Sequence, residues 1–97
     1  MLVLIVTYMV QVGKEEHARD YVRRMQEHTR KEPGCRFYVG QESIENPGKF
    51  CFYEQYDDQA ALDAHRAAPY FAEFVTHGLS TIIEPGTRVQ ELFVPVE

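Results

Sequence analysis

The first strand-like segment of the chain is apolar on both sides. Residues 2–12 are rich in Val, Ile, Thr and Tyr, a composition typical of a β-strand. Alternate side chains of a strand point to opposite faces. One set is Leu2, Leu4, Val6, Tyr8 and Val10, and the other is Val3, Ile5 and Met9. The pattern therefore predicts a strand with two apolar faces.

The apolar period changes beyond Gly13, where apolar side chains recur at intervals of three and four residues. This period predicts an amphipathic helix of about four turns over residues 15–31. Pro33 and Gly34 follow directly and end the helix. The positions that share its inward side are Ala18, Tyr21, Val22, Met25 and Thr29.

Two further strands are predicted over residues 36–43 and 49–56, joined as a β-hairpin. The turn signal between them is Asn46-Pro47-Gly48, because Pro fixes φ and Gly accepts a positive φ. The second of these strands is apolar or aromatic on both faces, with Glu54 and Gln55 as polar exceptions. Its apolar positions are Phe50, Phe52 and Tyr56 on one face and Cys51 and Tyr53 on the other.

The C-terminal third is predicted to hold two helical segments and a last strand. Asp57-Asp58 supplies an N-cap for a helix over residues 59–67. Pro69 starts the next segment at a position where its missing N–H costs nothing. Pro85-Gly86 then precedes a strand over residues 87–96. The inward positions are Ala61, Leu62 and His65 in the helix, and Phe71, Phe74, Val75 and Leu79 in the segment after it.

The element order is β-α-β-β-α-β, which predicts one α+β domain over residues 1–97. The expected architecture is ferredoxin-like, with a four-stranded antiparallel sheet and helices on one face. Antiparallel sheets usually have one polar face, whereas the first and third predicted strands are apolar on both faces. A second copy of the sheet is the simplest structure that could cover the face without helices, so we expect a homodimer. An aromatic ligand groove is a compatible alternative.

Composition and charge limit the classes of partner that the chain can bind. The chain has 97 residues, 44% of them hydrophobic, and a net charge of −5, which argues against nucleic acid and anionic membranes as partners. No apolar run reaches the ~20 residues of a membrane span. No basic leader precedes the first strand, so we expect a cytoplasmic protein. Cys35 and Cys51 have no metal or redox spacing and are expected to be reduced.

Two residues stand out as candidates for chemistry. His65 lies on the apolar side of its predicted helix, either as a core histidine bonded to a backbone carbonyl or as a pocket histidine that transfers protons. Glu54 interrupts an aromatic strand, either as an ion pair at the strand end or as a buried acid that orients a histidine or a substrate hydroxyl. The four histidines have no metal-ligand spacing, and no phosphate loop or dinucleotide fingerprint occurs. We therefore expect no metal and no cofactor.

Three motifs together resemble the antibiotic biosynthesis monooxygenase domain family over nearly the whole chain. They are Glu32-Pro33-Gly34-Cys35, Tyr53-Glu54-Gln55-Tyr56 and the His65, Pro69, Phe71 spacing within residues 61–71. The resemblance implies a dimeric α+β barrel. Members of that superfamily include cofactor-free oxygenases of polycyclic phenols and quinols, haem-degrading enzymes, an isomerase of a phosphorylated sugar and proteins with no known activity. The haem-degrading members share a Trp, and this chain has none.

The resemblance and the aromatic content lead to one main hypothesis. The chain is expected to be a cofactor-independent monooxygenase that oxidises a small aromatic hydroquinone or polyketide-like phenol with O₂. His65 would take the phenolic proton or hydrogen-bond the resulting oxyanion, and Glu54 would fix the imidazole tautomer or a substrate hydroxyl. The expected aromatic wall is Phe52, Tyr56, Phe71 and Phe74, with Tyr8 and Tyr53 as further hydrogen-bonding candidates.

Two other functions stay open. One is an isomerase of a small metabolite, phosphorylated or not, that shuttles protons through His65. A phosphorylated substrate would need cationic contacts, for which Arg36, Arg66 and Arg88 are available. The other is a non-catalytic dimeric binding module, in which His65 is only a core residue.

Overall fold

The predicted element order is present in the structure, a computed structural model that describes residues 1–97. The chain forms β1 (Leu2–Met9), α1 (Glu15–Thr29), β2 (Cys35–Glu42), β3 (Lys49–Tyr56), α2 (Gln59–Ala67) and β4 (Val89–Phe93). Between α2 and β4, a short helix α3 (Pro69–Phe71) widens into a π-helical turn over Ala72–Thr76, and a 3₁₀ turn follows at Leu79–Ile82. None of the helices is both long and apolar enough to span a membrane.

The four strands form a single antiparallel sheet in the order β2-β3-β1-β4. The central strand β1 pairs with β3, which places Leu4 opposite Glu54, and with β4, which places Val6 opposite Gln90. The helices cover one face of this sheet. The predicted ferredoxin-like α+β fold is therefore confirmed.

Several ends differ from the sequence-based expectation because hydrogen bonds, some of them long-range, redirect the chain. β1 stops at Met9, and beyond it Val10 makes only an isolated bridge to Ile83. α1 ends at Thr29, whose carbonyl accepts from the N–H of Glu32 in a tight turn. β4 begins only at Val89 because Thr87 uses its hydroxyl to bond the Met9 N–H at 3.1 Å and the Glu84 carbonyl at 2.7 Å.

The hydrophobic core fills the space between the helices and the even-numbered strand positions. On the sheet side it contains Leu4, Val6 and Tyr8 of β1 and Phe50, Phe52 and Tyr56 of β3. The helices contribute Ala18, Val22 and Met25 of α1 and Leu62 of α2. This arrangement assigns the even-numbered side chains to the helices, a choice that strand alternation alone leaves open.

No helix covers the odd-numbered face of the sheet. Its strands carry apolar side chains, and Phe37, Val89 and Phe93 are 50%, 61% and 42% exposed. The prediction of two apolar faces therefore applies to the folded chain, with one face closed by helices and the other open. The homodimer stays a prediction.

Candidate active site

A pocket lies between the helix-covered face of the sheet and the segment from α2 to the 3₁₀ turn. The space between its walls is about 470 Å³, a figure that includes the part open to solvent. Its apolar walls include Leu4, Val6, Phe52, Phe71 and Leu79. Its polar lining includes Tyr8, Glu54, His65, Arg66, Arg88 and Gln90.

His65 enters this pocket from α2. The helix starts with Asp58 as N-cap, whose carboxylate accepts from the Ala61 N–H at 2.9 Å. Leu62 and His65 lie three residues apart on the inward side, as predicted, and both are at most 2% exposed. The imidazole Nδ1 lies 3.1 Å from a carboxylate oxygen of Glu32. A carboxylate only accepts hydrogen bonds, so Nδ1 carries the proton and Nε2 keeps its lone pair.

Glu32 is the site residue that the sequence reasoning did not assign. It lies 33 residues before His65, in the turn between α1 and β2. Gly34 lets this turn pack on α2, because a Cβ there would lie 2.5 Å from the Ala61 Cβ. The available signal was the Glu32-Pro33-Gly34-Cys35 motif, to which no role was given. The motif's acid meets the histidine only once α2 has folded over the turn.

Glu54 approaches the other side of the imidazole. It is an even-numbered position of β3, so its side chain points to the helices and is only 3% exposed. Its Oε1 lies 3.8 Å from His65 Nε2 and accepts a 2.5 Å hydrogen bond from the Tyr56 hydroxyl. Burial raises the pKa of Glu54 to about 7, although the Tyr56 hydrogen bond and the charges of Arg66 and Arg88 oppose the shift.

The imidazole of His65 is held in its neutral form. Burial lowers the pKa of His65 below its ordinary value, and the nearby Arg66 charge acts in the same direction, while Glu32 opposes both. A neutral imidazole with Nδ1 bound to a carboxylate has a free Nε2 that can accept a proton. The site therefore combines a base with an acid whose pKa of about 7 lies near neutral pH.

Five of the eight residues singled out from the sequence line this pocket. They are His65, Glu54, Phe52, Phe71 and Tyr8. Tyr56 lies behind Glu54 and supports it through the hydroxyl. Tyr53 is an odd-numbered position of β3, and its ring packs 5.9 Å from that of Phe37 on the open face.

Phe74 also lies outside the pocket. Its ring stacks on His28 at 5.7 Å, and the Arg24 guanidinium lies 5.7 Å from its centroid, both from α1. The π-helical turn explains this orientation, since it has more residues per turn than an α-helix. Val75 therefore follows Phe71 into the pocket, and Phe74 turns toward α1.

The three candidate arginines differ in whether they line the pocket. Arg66 and Arg88 line the pocket, and Arg88 donates to Gln90 Oε1 at 3.1 Å. Arg36 instead forms an ion pair with Asp57 at 2.6 Å, outside the pocket. The cationic side chains of the pocket are thus Arg66 and Arg88.

The fold and this buried histidine–carboxylate pocket define a small ferredoxin-like protein with an enclosed candidate active site. Residues 1–77 match the antibiotic biosynthesis monooxygenase family, and the chain belongs to that family. The matched stretch contains Glu32, Glu54 and His65 and ends before β4.

Solved structures share the fold, and one curated protein matches part of the sequence. A crystal structure of an antibiotic biosynthesis monooxygenase superimposes with a TM-score of 0.91 at 28% identity, covering 100% of both chains. Rv0793 from Mycobacterium tuberculosis shares the fold, with a TM-score of 0.88 at 24% identity over 99% of this chain and 95% of that one. Uncharacterized protein sll1783 of Synechocystis is 39% identical over 59 residues, which are 61% of this chain and only 40% of that relative.

Proposed function

We propose that this chain is a cofactor-independent monooxygenase that oxidises a small aromatic hydroquinone or polyketide-like phenol with O₂. The observation that carries the proposal is the pairing of His65 with two carboxyl groups in an aromatic pocket, with Nδ1 3.1 Å from Glu32 and Nε2 3.8 Å from Glu54. Family membership supports the reaction class.

The chemistry needs proton removal more than it needs a redox group. A hydroquinone becomes electron-rich enough to reduce O₂ once its hydroxyl is deprotonated. In the overall reaction, one oxygen atom is added to the ring as a hydroxyl, the other leaves as water, and the substrate supplies all the electrons as it becomes a hydroxyquinone. His65 Nε2 accepts the phenolic proton, a role typically worth about 10²–10⁴ in rate.

The two carboxyl groups take different roles in this proposal. Glu32 fixes the tautomer of His65 and stabilises the imidazolium that forms, because its carboxylate lies at Nδ1. Glu54 faces Nε2 and is supported by Tyr56, which suits it to hold a substrate hydroxyl. Phe52 and Phe71 supply the flat apolar walls for an aromatic ring.

We also propose that the chain works as a homodimer through its open sheet face. Phe37, Val89 and Phe93 leave large apolar side chains uncovered there, and contiguous exposed apolar surface marks interaction sites. An isologous pairing of two such faces buries both at once.

A proton-shuttling isomerase is a second candidate. The observation that favours it is the placement of Arg66 and Arg88 in the pocket, where they suit a substrate with an anionic group. An isomerase would use His65 in the same way but would turn over without oxygen. If the chain only binds a ligand, replacing His65 would change stability but no catalytic activity.

Oxygen uptake by chelator-treated protein tests the proposal. The assay uses 1,4-dihydroxynaphthalene and anthrone, with each compound's own autoxidation rate subtracted. We expect enzyme-dependent uptake that falls at least about 100-fold in His65→Ala. His17→Ala, which changes an exposed histidine of α1, is the matched control and should keep full activity. Uptake no faster than autoxidation would overturn the monooxygenase proposal, and equal activity of His65→Ala would overturn the role of His65.

A further inference from the structure

The hydroxyl of Tyr8 is a buried polar group that no protein atom satisfies. Tyr8 is 2% exposed, and its side chain lines the pocket. Its oxygen is the one buried side-chain nitrogen or oxygen atom of the chain without a hydrogen-bond partner. Buried polar groups are nearly always paired, and an unpaired one is unfavourable. A partner from a bound molecule would remove this deficit.

Arg88 lies beside Tyr8, directly before β4 begins. The β1–β4 register pairs Val6 with Gln90 and Thr7 with Val89, so the next position brings Arg88 across from Tyr8. Both side chains point to the helix-covered face, and both line the same pocket.

Arg88 forms no ion pair with a carboxylate of the chain. Its guanidinium donates to the neutral amide of Gln90 at 3.1 Å. Four of the seven arginines are paired with carboxylates, namely Arg19, Arg23, Arg24 and Arg36, whereas Arg30, Arg66 and Arg88 are not. Of these three, Arg66 and Arg88 line the pocket, and only Arg88 follows the strand register toward Tyr8.

Tyr8 lies further along β1 than the residue that faces Glu54. Leu4 is the β1 residue opposite Glu54, and Tyr8 follows four residues later. Four residues of strand span about 13 Å. The pocket floor therefore has Glu54 at one end and Tyr8 toward the other, with the Arg88 charge close enough to both to lower their pKa values.

We infer that Tyr8 and Arg88 form an anion subsite, which binds a carboxylate on an aromatic substrate whose reacting hydroxyl lies at His65 and Glu54. The Tyr8 hydroxyl donates one hydrogen bond, and the guanidinium supplies the positive charge and further donors. One cation and one hydroxyl match a singly charged, planar carboxylate. The inference deepens the proposed function, because it specifies the substrate of the same pocket.

The protonation state of Tyr8 agrees with a donor role. Burial raises the pKa of Tyr8 well above its ordinary value, against the opposing effect of Arg88. The hydroxyl therefore keeps its proton at neutral pH and can donate to a carboxylate.

Calorimetric titration with two air-stable probes tests the subsite. The probes are 6-hydroxy-2-naphthoate and 2-naphthol, which share the ring and one hydroxyl and differ in the carboxylate. We expect the acid to bind about 10-fold more tightly than 2-naphthol. Arg88→Gln should remove this preference, and Tyr8→Phe should weaken binding of the acid several-fold without affecting 2-naphthol.

Arg36→Gln is the matched control, since it removes the same charge from an arginine paired with Asp57 outside the pocket. It should keep the preference for the acid. Equal affinity for the two probes, or a preference that survives Arg88→Gln, would overturn the subsite. Because neither probe needs to react, the outcome is independent of oxygen uptake: the subsite can be confirmed while the monooxygenase proposal fails, and the reverse also holds.

Discussion

The two faces of the sheet are both apolar, but only one is covered by the chain's own helices. On the covered face, Leu4, Val6 and Tyr8 are at most 5% exposed. On the open face, Phe37 and Val89 are 50% and 61% exposed. In β2, for example, Phe37 is 50% exposed and the next residue, Tyr38, is 2% exposed, although both side chains are aromatic.

The covered face also changes the titration of its buried side chains. Burial on the covered face raises the pKa of Glu54 to about 7 and raises that of Tyr38 far above its ordinary value. On the open face, Tyr53 lies beside Phe37 and bonds Gln55 at 3.0 Å, close to the surface. Aromatic composition thus does not make a site by itself. Coverage by helices creates the low-dielectric environment in which a carboxyl and an imidazole acquire useful pKa values.

The largest expected effect concerns the covered face. Glu32→Leu removes the acceptor at His65 Nδ1, so the imidazole loses both its fixed tautomer and the charge that stabilises its protonated form. We expect kcat for oxygen uptake to fall about 10³-fold. Glu32→Gln, which keeps a hydrogen-bond acceptor but no charge, should show a smaller fall in kcat.

An NMR measurement separates positioning from general damage. The imidazole ¹⁵N shifts of His65 should show Nδ1–H in the wild type and a tautomer mixture in Glu32→Leu. Glu27→Gln, an exposed carboxylate of α1, is the control and should change neither rate nor shifts. Unchanged kcat and unchanged shifts in Glu32→Leu would show that this contact has no functional role.

The second prediction concerns stability and pH. The folded-state pKa of Glu54 is about 7, above its ordinary 4.5, so the native state binds a proton more tightly than the unfolded chain. Native stability from this group is therefore fully present below pH 4.5 and is lost as the pH rises through 7. The loss is about 3 kcal/mol, because each pKa unit corresponds to about 1.4 kcal/mol.

Glu54→Gln removes the loss of stability at high pH, because the amide does not ionise, and it keeps an acceptor for the Tyr56 hydroxyl. Relative to wild type, the variant should gain about 3 kcal/mol of unfolding free energy between pH 4.5 and pH 8. Urea unfolding at the two pH values measures it. The depressed pKa of His65 has the opposite effect below pH 6.5, but it is present in both proteins. Glu45→Gln, in the exposed hairpin turn, should show no gain, and a pH-independent difference for Glu54→Gln would contradict the buried-acid interpretation.

Much of the fold follows from local sequence signals. The predicted bounds of β3 and α2 agree with the structure, because a strong turn at Asn46-Pro47-Gly48 and an N-cap at Asp58 mark them. The ends of β1 and β4 were placed too far out. Their limits depend on long-range bonds such as Thr87 to Met9, which no local pattern reports.

The site was less predictable for the same reason. His65 and Glu54 stood out because each breaks an apolar pattern, and both line the pocket. Glu32 did not stand out, since an acid at the end of a polar helix looks like ordinary surface. Phe74 was assigned to the aromatic wall on an α-helical period, whereas a π-helical turn carries it toward α1.

The last prediction tests the open face. Val89 is an odd-numbered residue of β4, and Val12 is a 95% exposed residue in the turn after β1. If two copies pair through the open face, Val89→Asp places a carboxylate in an apolar interface and should raise the dimer dissociation constant at least about 10-fold. Val12→Asp makes the same change away from the sheet and should leave the constant unchanged. Light scattering across a dilution series measures both, and a wild-type protein that is monomeric at micromolar concentration would mean that the open face has another role.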